Sequence, residues 1–82
     1  MVKKIKLIWE IRGPEAIKTA EHHTHHLTEY LEDKKLKNRI TGTESFTESF
    51  ALAFMVVDED EMIQVRDDLK PTRGEWYDET ES

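Results

Sequence analysis

Apolar and polar residues alternate from the fourth position onward. Ile5, Leu7, Trp9 and Ile11 fall on one side of an extended chain and Lys4, Lys6, Glu10 and Arg12 on the other, with Ile8 the apolar exception. A period of two predicts a half-buried strand over 4–12. Gly13-Pro14-Glu15 ends that strand and opens a helix, because the N–H that proline lacks would be unpaired in the first turn and Glu15 complements the helix dipole. Ile17, Ala20, Thr24, Leu27 and Leu31 then recur at spacings of three and four, which predicts a helix over 14–35 with one buried stripe. Lys34, Lys35 and Lys37 sit at or just past its C-terminal end, where positive charge is favoured. The β-branched residues Ile40, Thr41 and Thr43 predict a second strand over 38–45, with Phe46-Thr47-Glu48-Ser49 as a hairpin connection.

The third strand, 50–57, is apolar on both sides: Phe50, Leu52, Phe54 and Val56 on one, Ala51, Ala53, Met55 and Val57 on the other. A strand of this kind is usually covered on both faces. Asp58 and Glu61 stand at capping-box spacing before a short helix whose stripe is Met62, Val65 and Leu69, and Pro71 stops it. Residues 72–78, with Trp76 and Tyr77, read as a last strand, and 79–82 as a frayed acidic tail. The order strand, helix, strand, strand, helix, strand over 1–78 resembles the ferredoxin-like α+β arrangement, βαββαβ. It implies a single domain with a four-stranded antiparallel sheet and two helices on one face. In that arrangement strands one and three are central, which agrees with the extra apolar residues found on those two strands.

Two helices cover one side of such a sheet and leave the other open. With Ile5, Leu7, Trp9, Phe50, Leu52, Phe54 and Val56 assigned to the helix side, the open face carries Ile8, Ala51, Ala53, Met55 and Val57. That contiguous apolar patch is the expected interface of a homodimer.

The totals narrow the partners. Eighty-two residues allow one core, and the periodic apolar runs argue for a folded chain despite a mean hydropathy of -0.74. Twelve basic and eighteen acidic residues give a net charge of -6, which disfavours a duplex nucleic-acid binder. No stretch is apolar and long enough to span a membrane. The chain has no cysteine, which excludes thiolate chemistry and disulfides and fits a cytoplasmic setting.

All four histidines lie within Glu21-His22-His23-Thr24-His25-His26. At about 100° per residue His22 and His26 share a helix face opposite the buried stripe, beside Glu29, and form a candidate site for zinc or nickel. The alternative is a solvated helix face with adventitious metal capture only, and no cofactor is expected. His23 sits at the edge of the stripe, where packing is the commoner role and general-base or ligand-binding chemistry the alternative. A candidate anion site gathers Arg12, Gly13, Lys70, Arg73 and Gly74 at one end of the sheet, against which Glu10, Glu15, Glu48 and Glu75 are available as plain ion-pair partners. Trp9 and Trp76 are expected in the core.

No phosphate loop, dinucleotide fingerprint or nucleophile elbow is present. The favoured function is a small homo-oligomeric binding or regulatory module using the open sheet face. The alternatives are a small enzyme with a cleft enclosed by face-to-face dimerisation, using His23, Arg12 and Arg73, and a transition-metal-binding protein using the helix histidines.

Overall fold

The first alternating segment forms strand β1 (Lys4–Arg12) of a computed structural model that describes residues 3–77. Helix α1 (Ala16–Asp33), strands β2 (Thr41–Thr47) and β3 (Phe50–Asp58), a 3₁₀ turn over Glu59–Glu61, helix α2 (Met62–Leu69) and strand β4 (Arg73–Tyr77) follow. All pairings are antiparallel and the sheet order is β2-β3-β1-β4, so β1 and β3 are central and β2 and β4 are edges. Leu27 and Leu31 of α1 share one buried cluster with Val65 of α2 and with Ile5, Leu7 and Trp9 of β1. Both helices therefore cover the same face, which is the expected ferredoxin-like α+β arrangement. The expected extension of the last strand to Asp78 and the acidic tail 79–82 lie outside the described residues, as do Met1 and Val2.

The element boundaries follow local chemistry. Gly13 turns the chain out of β1 at φ 130°, a conformation open to glycine, and its N–H reaches the Ser49 carbonyl at 2.9 Å. α1 starts two residues later than proline placement suggests. At the other end, Lys35 takes up a left-handed conformation just past its last turn. β2 starts at Thr41 rather than residue 38 because Asn38 is buried, its amide donating to Asp58 at 2.8 Å. A bulge between Ser45 and Thr47 lengthens the far end of the strand. Asp58 and Glu61 close the expected capping box.

The facing of β3 is opposite to the expectation from sequence. Register pairs Ile5 with Val57, Leu7 with Met55, Trp9 with Ala53 and Ile11 with Ala51. Directly paired residues share a face, so Ala51, Ala53, Met55 and Val57 lie under the helices, not on the open side. Only Ile8 of the expected patch faces outward. Helix packing supplies the reason: Ala16 and Ala20 of α1 come down on Ala51, a close approach that phenylalanines would prevent. The bulky set of Phe50, Leu52, Phe54 and Val56 turns outward instead.

Two smaller differences concern α1 and β4. Thr24 lies in the stripe but is polar there, bonding to the Gly42 carbonyl at 3.0 Å and the Thr43 hydroxyl at 2.7 Å, while Thr28 meets Thr41 at 3.0 Å. These threonines join the helix to an edge strand with few apolar side chains. Trp9 is in the core, its indole N–H donating to the Leu69 carbonyl at 2.8 Å, but Trp76 is 66% exposed. It points to the helix side from an edge strand that α2 does not cover.

This facing has a measurable consequence. Met55→Glu buries a charge between sheet and helices and should cost on the order of 4 kcal/mol or more, unfolding the chain or nearly so. Urea denaturation followed by circular dichroism measures it, and a Met55→Glu variant of near wild-type stability would contradict the register.

Candidate functional site

The open sheet face is built from the even-numbered residues of β1 and β3. Ile8, Leu52 and Val56 form its apolar row, and each is nearly inaccessible even without a covering layer. Charged side chains lie across the sheet beside this row. Lys6 reaches over the Phe54 ring, 4.4 Å from its centroid, to Glu44 at 3.2 Å. Arg12 lies over Phe50 at 4.1 Å, and Arg73 bonds Glu10 at 3.0 Å and Glu75 at 2.7 Å. The aliphatic stems of these cations cover apolar surface while their heads stay wet. Phe46, 56% exposed, stacks on Phe50 at 5.2 Å, so three phenylalanines run along the β2–β3 side of the face. Phe54 also lies across Gly42, where a Cβ would come within 2.6 Å of its ring, so the absent side chain is what lets the phenyl lie flat.

The arginine end is an ion-pair cluster. Arg12 and Arg73 both approach Glu10, Arg12 only at 3.9 Å, and the hydrogen bonds that Arg73 donates to Glu10 and Glu75 raise its guanidinium above its ordinary pKa. Gly13 is spent on the turn and Lys70 on the left-handed C-cap of α2. Gly74 turns to the helix face, opposite Leu7. The expected set is therefore divided between two faces of the sheet.

His23 lies on the helix side, its ring 5.2 Å from Trp9 in an edge-to-face contact. It therefore lies on the opposite side of the sheet from Arg12 and Arg73. Its Nε2 is buried without a hydrogen-bond partner. Burial first, then the neighbouring charges of His26 and His22, pushes its pKa below the ordinary 6.5.

His22 and His26 do come together, Nε2 to Nε2 at 2.9 Å. Glu29 contacts His26 at Nδ1, 3.1 Å away, on the far side of the ring from Nε2. The carboxylate thus orients the imidazole, as outer partners of metal-binding histidines do, rather than supplying a third ligand to an ion held between the two Nε2 atoms. His25 adds a contact to Glu29 at 3.5 Å. Among the described residues, the set of three converging ligand atoms is Asp58, Asp60 and Glu61, and Lys37 partly offsets its charge at 3.1 Å from Asp60 and 3.6 Å from Asp58.

A further cavity, about 480 Å³, opens between α2 and β4. Sequence reading missed it because it depends on what α2 fails to cover, although a glycine inside the edge strand, at 74, is a signal that could have been used. It also missed Phe50 and Phe54 as residues of the open face, since alternation alone does not say which side of a doubly apolar strand faces out. Comparison with protein-family models, curated proteins and solved structures matches nothing to this chain.

Two outcomes are expected here. Isothermal titration with zinc or nickel should show binding no tighter than micromolar and lost in His22→Ala, because two exposed nitrogens hold an ion weakly; submicromolar affinity would contradict this. For His23 the folded state keeps a lowered pKa while the unfolded chain titrates at 6.5. Above pH 6.5 both forms are neutral and the group contributes no pH dependence. Below it the unfolded chain binds a proton that the folded chain refuses, so stability falls with pH until the folded pKa is reached. The melting temperature of the wild type relative to His23→Phe should therefore decline below pH 6.5, and a flat difference would contradict the burial of His23.

Proposed function

We propose that this protein is a small homodimeric binding module of the cytoplasm whose two copies meet through the open faces of their sheets. The observation that carries the reading is the strip of Phe46, Phe50 and Phe54, beside the apolar row, on a sheet whose other side is already filled by both helices. Aromatic residues and arginine are the types enriched at interface centres.

Charge supports a second copy as the partner. The chain carries a net -6, which opposes self-association, yet on this face Lys6, Arg12 and Arg73 are matched by Glu10, Glu44 and Glu75. A patch that carries both signs in equal number avoids the like-charge repulsion of two copies meeting face to face about a two-fold axis. The molecule is a slab of 40 × 30 × 18 Å. A broad side of that slab can supply the roughly 800 Å² per partner that stable complexes bury.

Sedimentation at micromolar concentration tests the reading. The wild type should sediment as a dimer, and Phe54→Glu as a folded monomer, since residue 54 is partly accessible on the open face and the new carboxylate sits beside Lys6. A monomeric wild type, or a dimer indifferent to Phe54→Glu and Phe50→Glu, would contradict it.

A further inference from the structure

The cavity between α2 and β4 lies on the helix side of the sheet, away from the proposed dimer face, and belongs to each protomer separately. Its size, about 480 Å³, falls within the roughly 300–1,000 Å³ typical of small-ligand sites. Ile5 and Leu7 form the floor, Met62 and Arg66 one wall a helical turn apart, and Trp76 the other. Register places Gly74 opposite Leu7 and Trp76 opposite Ile5, so both project to this side of β4.

Gly74 has no backbone reason to be glycine. The positive-φ glycine of the chain is Gly13, and a Cβ at position 74 would meet Ile5 and Leu7 at 3.4 Å, an ordinary contact. Glycine weakens a strand interior. What it provides here is the open space above Ile5 and Leu7. Trp76 then stands with its indole largely in water, a costly arrangement for a side chain that can bury 150–250 Å². A ligand seated against Met62 and the indole would cover that surface.

The rim is cationic within an acidic protein. Among the described residues the carboxylate that Arg66 touches is that of its sequence neighbour Asp67, at 3.5 Å, a geometry that leaves its fork able to grip a second one. The Lys3 ammonium lies 5.3 Å from the Trp76 ring centroid. The Glu75 side chain, in contrast, is on the opposite face with Arg73. We propose that this cavity binds a small aromatic carboxylate, the ring between Trp76 and Met62 above Gly74 and the carboxylate on Arg66.

The test is a titration of the full-length, isotope-labelled protein with 3-phenylpropionate, read at the Trp76 indole N–H. That resonance is separable from Trp9, whose indole N–H is bonded in the core. The acid should shift the Trp76 signal saturably at submillimolar concentration. Arg66→Gln should weaken binding by about tenfold, the loss of one charge-assisted contact, and 3-phenylpropionamide should bind the wild type as weakly as the acid binds Arg66→Gln. Gly74→Leu should abolish the shift, and if that variant does not fold, the Arg66→Gln and amide comparisons decide. Binding should persist in Phe54→Glu, so failure of the dimer and failure of the pocket are read separately. No saturable shift, equal affinity for acid and amide, or a peptide with a C-terminal phenylalanine binding more tightly than the free acid would overturn the proposal.

Discussion

The pairing of β1 with β3 decides what every other surface of this protein is. β3 is apolar at eight consecutive positions, so its own sequence does not choose a face. A shift of one residue against β1 would exchange its two sides completely. Leu7 opposite Met55 settles the matter: alanines, methionine and valine go beneath the helices, and phenylalanines, leucine and valine go outward. The choice is enforced from α1, whose Ala16 and Ala20 sit directly on Ala51. Small residues on both partners let helix and sheet approach closely, and dispersion contacts strengthen steeply as gaps close. The large side chains Trp9, Leu27 and Leu31 fill the thicker part of the same layer.

Turning the bulky set outward creates a problem that the charged residues resolve. An uncovered sheet face bearing phenylalanine, leucine, isoleucine and valine invites indiscriminate association. Here Lys6 and Arg12 lie over phenylalanine rings, Lys6 crosses β3 to Glu44 of β2, Arg12 approaches Glu10 of its own strand, and Arg73 of β4 bonds the same Glu10. Individually such exposed pairs stabilise little. Two of these cations cap the rings of Phe50 and Phe54, Ile8, Leu52 and Val56 are nearly inaccessible, and Phe46 is the exposed aromatic residue beside them. A face built this way is selective, because a partner must offer charges in the matching order.

Element order, the central position of β1 and β3, the capping box and the stripe of α1 were legible because each rests on periodicity or on local hydrogen bonding. The ion pairing of Arg12 was legible too, in the glutamate two residues before it. What was not legible depended on contacts between distant segments. The side of β3 that faces α1 follows from helix-to-sheet distance, which alternation does not encode. Trp76 reads as core because it is large and apolar, yet the eight-residue α2 stops short of the edge strand that carries it. The histidines illustrate a middle case: spacing placed His22 beside His26, while the side of the ring met by Glu29 depended on rotamers. His23 was placed at the edge of the stripe from sequence, and its orphaned Nε2 became visible only with Trp9 packed against it.

The central claim is that the helix-facing and partner-facing sides of β3 are those set by its pairing with β1. Isotope-filtered nuclear Overhauser spectroscopy on a dimer assembled from labelled and unlabelled chains addresses it directly. The account predicts contacts across the dimer from the rings of Phe50 and Phe54, and contacts from the Met55 methyl group only within its own chain, to the leucines of α1. Contacts across the dimer from Met55, with Phe54 silent, would contradict it.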